Sequence, residues 1–294
     1  MPRLCENRID NRHGHAAFRG ALRPSSALPG RAGAGYTARM AQGFFTRLAQ
    51  PGRFMRWSGA ALPWIGGLSG VLLLAGLYLS WFVAPADYQQ GETVRIMFIH
   101  VPAAWLGVFF YGAMAVSALG TLVWRHPLAD VAQRAAAPIG AAFTLICLVT
   151  GSLWGKPMWG TYWVWDARLT SMLVLLLIYA GLIALWRTIE DPGRAARAVA
   201  ILTLVGAVNL PIIKFSVNWW STLHQPASIL RMGGPTIHPT MLYPLLVMIA
   251  AFSVLGIALH LAAMRTEILR RRVRTLAILE AERLDAPSPA AQAA

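Results

Sequence analysis

Acid is what this chain has least of: 12 Asp and Glu stand against 26 Lys and Arg in 294 residues. Charge of either sign is sparse, at 13%, while hydrophobic residues reach 56%. A net charge of +14 invites a nucleic-acid partner, yet a soluble nucleic-acid binder is far more charged and far less apolar. The balance points to a membrane protein with lipid, and no nucleic acid, as its surroundings. Cysteine is nearly missing as well. Cys5 falls in the N-terminal arm and Cys147 inside an apolar run, which argues against a disulfide between them. The absence of C-x-x-C-H excludes covalently attached c-type haem, and the absence of G-x-x-x-x-G-K-[ST] excludes an ATP-hydrolysing subunit. No internal repeat stands out.

Long apolar runs are what the chain has instead. They cover Leu62–Val83, Val101–Trp124, Ala135–Trp154, Leu169–Trp186, Ala198–Ile213 and Thr240–Met264. A helix needs about 20 residues to cross the hydrocarbon core, and helices satisfy their own backbone in lipid. The expected fold is therefore all-α, a polytopic bundle of six transmembrane helices, with the fourth and fifth spans short. Ten arginines lie at or before residue 61, two in the 125–134 loop, three in the 187–197 loop and six in the C-terminal tail. The alternate loops hold only Arg95, Lys156, Arg168 and Arg231, with Lys214 near the end of the fifth span. The positive-inside rule then puts both termini in the cytoplasm. Residues 1–54 form a basic arm for which disorder is expected; it reads either as transit-peptide-like or as a start placed too early, with Met40 or Met55 as the beginning. Residues 55–265 form the membrane domain. Residues 266–294 form a basic cytoplasmic helix and tail, expected to lie along the anionic inner leaflet.

The outward connectors carry the chemistry. The stretch from Trp154 to Ser171 reads WGKPMWGTYWVWDARLTS. It gathers Trp154, Trp159, Trp163 and Trp165 with Gly155, Gly160 and Tyr162, and ends in Asp166 and Arg168. Connectors are normally polar, so this one is expected either to lie at a membrane interface or to hold something flat and apolar. His100 stands just ahead of the second span in RIMFIHVPAAW, with Pro102 in the first turn. His224 follows the fifth span beside Trp219 and Trp220. The topology places both histidines and the aromatic stretch on one side. Two imidazoles and an aromatic shelf are what a haem requires, axial nitrogens for iron and flat walls for the macrocycle. The positive end of a helix dipole favours neutral imidazole, the form that binds metal. Propionates would take a cation from among Arg168, Arg95, Lys156 and Arg231.

Plainer roles stand beside these. Trp64, Trp81, Trp124 and Trp186 read as an interfacial belt. Asp166 is placed to cap the fourth helix, and Arg168 to pair with Asp166 or reach lipid phosphate. His238 is a third candidate ligand left out of the set. His13, His15, His126 and His260 carry no functional reading. Lys214 can snorkel, and Asn209 can bond a neighbouring helix.

These three segments together resemble the cytochrome c maturation protein C (CcmC), or haem exporter C, family of the tryptophan-rich haem-handling superfamily. The likeness covers roughly residues 55 to 265, and only the long N-terminal arm departs from it. It implies axial ligation by His100 and His224, with a porphyrin covered by the 154–168 residues named above. It also implies an inner-membrane subunit, not an enzyme, holding haem b transiently and without covalent attachment at the periplasmic face. Delivery to a haem chaperone (CcmE) would follow, with CcmD and the ATP-binding-cassette subunits CcmA and CcmB as further partners. Lyase activity on the chaperone and a true trans-bilayer haem permease are the alternatives. The relatives CcmF and CcsA share the tryptophan signature but are larger.

Overall fold

In a computed structural model the described residues are 50–220, 222–224, 228, 229 and 231–285. Expectations for residues 1–49, including Cys5, His13, His15 and Met40, and for the tail beyond Asp285, lie outside them. The described residues are helical with no strand among them, and six helical segments are long and apolar enough to cross a membrane. α1 spans Pro51–Tyr78 and widens into a π-helical end, Leu79–Val83. A turn and a short 3-10 segment, Glu92–Ile96, lead into α2, Met97–Leu122. Then come α3, Ala129–Trp159, and α4, Ala167–Thr188. The fifth crossing is made of α5, Pro192–Gly206, and α6, Asn209–Trp219. α7 runs Pro239–Asp285.

Three features differ from the sequence expectation. The fifth crossing is longer than the run Ala198–Ile213 and is broken near its middle. At the break, Tyr111 of α2 donates its hydroxyl to the Thr203 carbonyl at 3.1 Å. A Cβ on Gly206 would stand 2.1 Å from that hydroxyl, so only glycine admits the tyrosine here. Asn209 then donates to the Ser171 carbonyl on α4 at 2.9 Å, the neighbour-helix bond expected of it.

The second difference is α7. Its 47 residues run unbroken, about 70 Å at helical rise, so the basic segment continues the spanning helix rather than turning along a leaflet. Ion pairs fasten it there. Glu267 is 3% exposed and meets Arg134, Arg270 and Arg271 at 2.9–3.1 Å. Arg271 also reaches Asp130 at 2.6 Å, tying the extension to the start of α3.

Third, Trp186 does not join the interfacial belt. Trp64, Trp81 and Trp124 are exposed, but Trp186 is 8% exposed and sits in the main core with Leu182 and Ala195. The turn from α4 into α5 folds over it, which periodicity alone does not show. That core lies among α2, α3, α4 and α5, where small residues allow close approach. Tyr179 donates to the Gly107 carbonyl at 2.9 Å, while Phe110 and Phe143 stack at 6.3 Å.

Candidate functional site

The tryptophan-rich stretch is not one connector. α3 continues through Pro157 to Trp159, so Trp154, Gly155 and Trp159 are helical. Gly160 ends the helix at φ 74°, its N–H bonding back to the Lys156 carbonyl at 3.0 Å, which is the usual role of a left-handed glycine. Only residues 160–166 are irregular, and Arg168 already belongs to α4. Gly155 is buried where a Cβ would meet the Trp159 ring at 3.0 Å and the Thr161 carbonyl at 3.2 Å. The chain after Gly160 thus folds back against the last turn of α3.

Asp166 caps α4 as expected and also shapes the site. One oxygen, Oδ1, accepts the Leu169 N–H at 2.7 Å. The other, Oδ2, accepts the Thr222 hydroxyl and lies 3.1 Å from His224 Nδ1. Burial pushes the Asp166 pKa up, but the bonds from Thr222, Leu169 and His224 outweigh it and hold the carboxyl below its ordinary value. Burial dominates at His224. It lowers the imidazole pKa against the raising effect of Asp166, with the Arg168 charge lowering it further. The pair is therefore a carboxylate holding a neutral imidazole by its Nδ1–H, which turns the Nε2 lone pair outward. An orienting carboxylate of this kind is characteristic of metal-binding histidines.

His100 is held the same way by different groups. Its Nδ1 lies 3.0 Å from the Cys147 carbonyl and 3.1 Å from the Thr150 hydroxyl. A carbonyl can only accept, so Nδ1 carries the proton and Nε2 the lone pair. Gly151 makes the space, since a Cβ there would stand 2.9 Å from the imidazole Cε1. Among the described residues neither Nε2 has a hydrogen-bond partner. Each ring also meets a signature indole edge-on, His100 with Trp154 at 5.7 Å and His224 with Trp159 at 5.0 Å. Both indoles belong to the last turns of α3, so the two histidines stand against the same end of that helix.

Trp163 and Trp165 pair edge-on at 5.5 Å. Trp165 and Tyr162 are exposed, whereas the Trp163 indole N–H is buried with no partner among the described residues. Lys156 donates to the Gly160 carbonyl at 3.0 Å and sits 5.3 Å above the Tyr162 ring. Arg168 makes no ion pair with Asp166 among the described residues. It donates instead to Ser216 Oγ and the Ile213 and Lys214 carbonyls at 3.3–3.4 Å, bracing the middle of α6. Arg95 is likewise drawn to the Ser80 and Ala84 carbonyls, at 2.6 and 3.2 Å. Arg231 is exposed, as is His238, whose Nδ1 lies 2.8 Å from Thr240 Oγ1. Sequence reasoning missed Thr150, Gly151 and Thr222. Thr222 carried a signal, a hydroxyl two residues before His224 that accepts its backbone N–H at 3.1 Å. The others act through tertiary contacts that no local pattern marks.

Among the described residues no group of three or more His, Cys, Asp or Glu side chains gathers to hold a bare ion. A porphyrin brings four nitrogens of its own and asks the protein for two. The two Nε2 atoms without hydrogen-bond partners among the described residues, the indoles beside them and the orphaned Trp163 N–H are groups of the kind such a molecule asks for.

Comparison with known proteins identifies the relatives of this chain. The sequence model of one family, described as heme exporter protein C, matches residues 44–279. The heme exporter protein C of Bradyrhizobium diazoefficiens is 65% identical over 237 residues, covering 81% of this chain and 90% of its own length. That of Escherichia coli K12 is 51% identical over 223 residues, 76% of this chain and 90% of its own. A putative cytochrome c biosynthesis ccmC-like mitochondrial protein of Marchantia polymorpha is 47% identical over 208 residues, 71% of this chain and 88% of its own.

Proposed function

The chain belongs to the heme exporter protein C family, and from that premise we propose that it holds haem b non-covalently between His100 and His224. It is a multi-pass membrane protein of haem handling in cytochrome c maturation, rather than an enzyme of a conventional kind. The observation that carries the site is the matched pair of imidazoles. Two histidines from separate elements each have Nδ1 engaged, Nε2 unpaired among the described residues, and a signature tryptophan at the ring.

Each part of the site then has a task. Cys147 and Thr150 orient one imidazole, and Asp166, buttressed by Thr222, orients the other. Trp154, Trp159, Trp163, Trp165 and Tyr162 supply flat apolar walls, and Gly155 and Gly160 let the chain fold them together. Offset aromatic contacts contribute roughly 0.5–1.5 kcal/mol each beyond area burial. Several of them retain a flat cargo without tight iron ligation, which suits a protein that must release it. Arg168 keeps the site in shape by bracing α6 and would offer positive charge to a propionate.

The basic loops support an orientation with both termini cytoplasmic and the haem face periplasmic in a bacterial inner membrane. Delivery would be to the chaperone CcmE, in company with CcmD, CcmA and CcmB. The Asp166–His224 pair looks like half of a hydrolytic relay. However, the Thr222 hydroxyl bonds to the carboxylate, and no hydroxyl or thiol meets Nε2 among the described residues. The pair orients a ligand rather than activating a nucleophile. The test is the visible spectrum of detergent-purified, haem-loaded protein. Low-spin bis-histidine bands are expected in the wild type and should be lost in both His100→Ala and His224→Ala. Unchanged bands in both variants would reject the assignment.

A further inference from the structure

One signature tryptophan is tethered from outside its own stretch. The Trp154 indole N–H donates to Gln90 Oε1 at 2.9 Å, across 64 positions of sequence. An indole nitrogen only donates, so the amide oxygen must face it. Among the described residues no other indole of the stretch makes a side-chain hydrogen bond, and that of Trp163 is buried without one.

The tether starts from a fixed base. Asp87 Oδ1 accepts the backbone N–H of both Gln89 and Gln90 at 2.9 Å. Asp87 and Gly91 exchange a pair of backbone bonds, and Gly91 takes φ 55°, a region that favours glycine. The Gln90 carbonyl accepts the Thr93 N–H at 3.2 Å and the Thr93 hydroxyl at 2.6 Å. Arg95 fastens the same turn to the end of α1 through the Ser80 and Ala84 carbonyls. Beyond the tether, Trp154 packs on the cluster of Val94, Phe98, Leu245 and Met248 and presents its ring to His100.

We infer that Gln90 is a positioning residue. Through Trp154 it sets the plane of the indole against His100, and so fixes the wall of the haem cleft on the His100 side. The inference rests on the site reading above and deepens it. Without the amide oxygen the indole can turn about its own axis, and the wall beside one axial ligand loosens while both ligands stay in place.

The experiment compares Gln90→Leu, which removes the acceptor, with Gln90→Glu, which keeps an oxygen there. The protein carries 5-fluorotryptophan, with the residue-154 signal assigned by Trp154→Phe. Without haem, the fluorine signal of Trp154 should shift or broaden in Q90L and stay near wild type in Q90E. With haem, Q90L should keep bis-histidine absorption bands but alter the low-spin electron paramagnetic resonance anisotropy, which reports the relative planes of the two imidazoles. Haem loss to an apo-globin acceptor should run roughly three- to ten-fold faster, the span of one hydrogen bond, and Q90E should restore it. An unmoved fluorine signal in Q90L would overturn the tether. A moved signal with unchanged resonance and haem loss would overturn the positioning role. A wild type without bis-histidine bands would overturn the site reading and the haem role of Gln90 with it, separably from the fluorine result.

Discussion

At the scale of single residues, Asp166 uses its two oxygens for two tasks that different substitutions separate. Asn is as good a helix cap as Asp, so Asp166→Asn should keep the cap and lose only the stability that the carboxylate charge adds at neutral pH. Its amide cannot supply the charged acceptor that holds the His224 Nδ1–H, and haem affinity should fall about 10- to 100-fold, as for other orienting partners of metal-binding histidines. Asp166→Ala loses both tasks, with a further stability cost of about 0.5–2 kcal/mol from the cap. Acid titration supplies a second reading. A carboxyl whose folded pKa lies below its unfolded value stabilises above the unfolded value and stops doing so as pH falls through the folded one. The wild type should therefore show that acid step in its melting temperature, and Asp166→Asn should lack it. As candidates, His100 and Asp166 were legible in the sequence from residue type and helix-start position, and His224 from its place after the fifth span beside Trp219 and Trp220. The Cys147 carbonyl that holds His100 was not, since a backbone acceptor has no signature in residue type.

At the scale of elements, six crossings were legible because lipid makes apolar length the governing signal. Their ends were not. α3 passes Trp154 because its last turn is closed by the left-handed Gly160 rather than by a change in hydropathy. The fifth crossing breaks where Gly206 receives a tyrosine from another helix, a contact invisible within its own run. That contact makes a testable pair. A methyl at residue 206 would stand 2.1 Å from the Tyr111 hydroxyl. Gly206→Ala should therefore destabilise by about 1–3 kcal/mol through overpacking. Gly181→Ala, where a Cβ meets nothing within 4 Å, should be neutral or gain up to about 1 kcal/mol of helix propensity. Combining Gly206→Ala with Tyr111→Phe removes the clashing oxygen, so the double variant should melt above the sum of the single losses. Strict additivity would show that the hydroxyl is not what the glycine accommodates.

At the scale of the whole molecule, charge asymmetry and the site fall at opposite ends of the same helices. The α3 end at Trp159 and the start of α4 at Asp166 carry the site. The α3 start at Asp130 and Arg134 joins the Glu267–Arg271 network on the long extension of α7. Among the described residues the arginines concentrate at this second end, where Glu267 and Asp130 offset only part of them. An excess of arginine resists translocation, so the α7 extension should face the cytoplasm and the indole cluster the far side. Single cysteines on a Cys5→Ser background can report this, since Cys147 is buried. Tyr162 is exposed at the site end, and Arg274 is exposed on the extension. A membrane-impermeant maleimide applied to spheroplasts should label Tyr162→Cys at once and Arg274→Cys only after lysis. The reverse pattern would put the proposed haem face in the cytoplasm, and delivery to a periplasmic chaperone would then require haem held there to cross the bilayer.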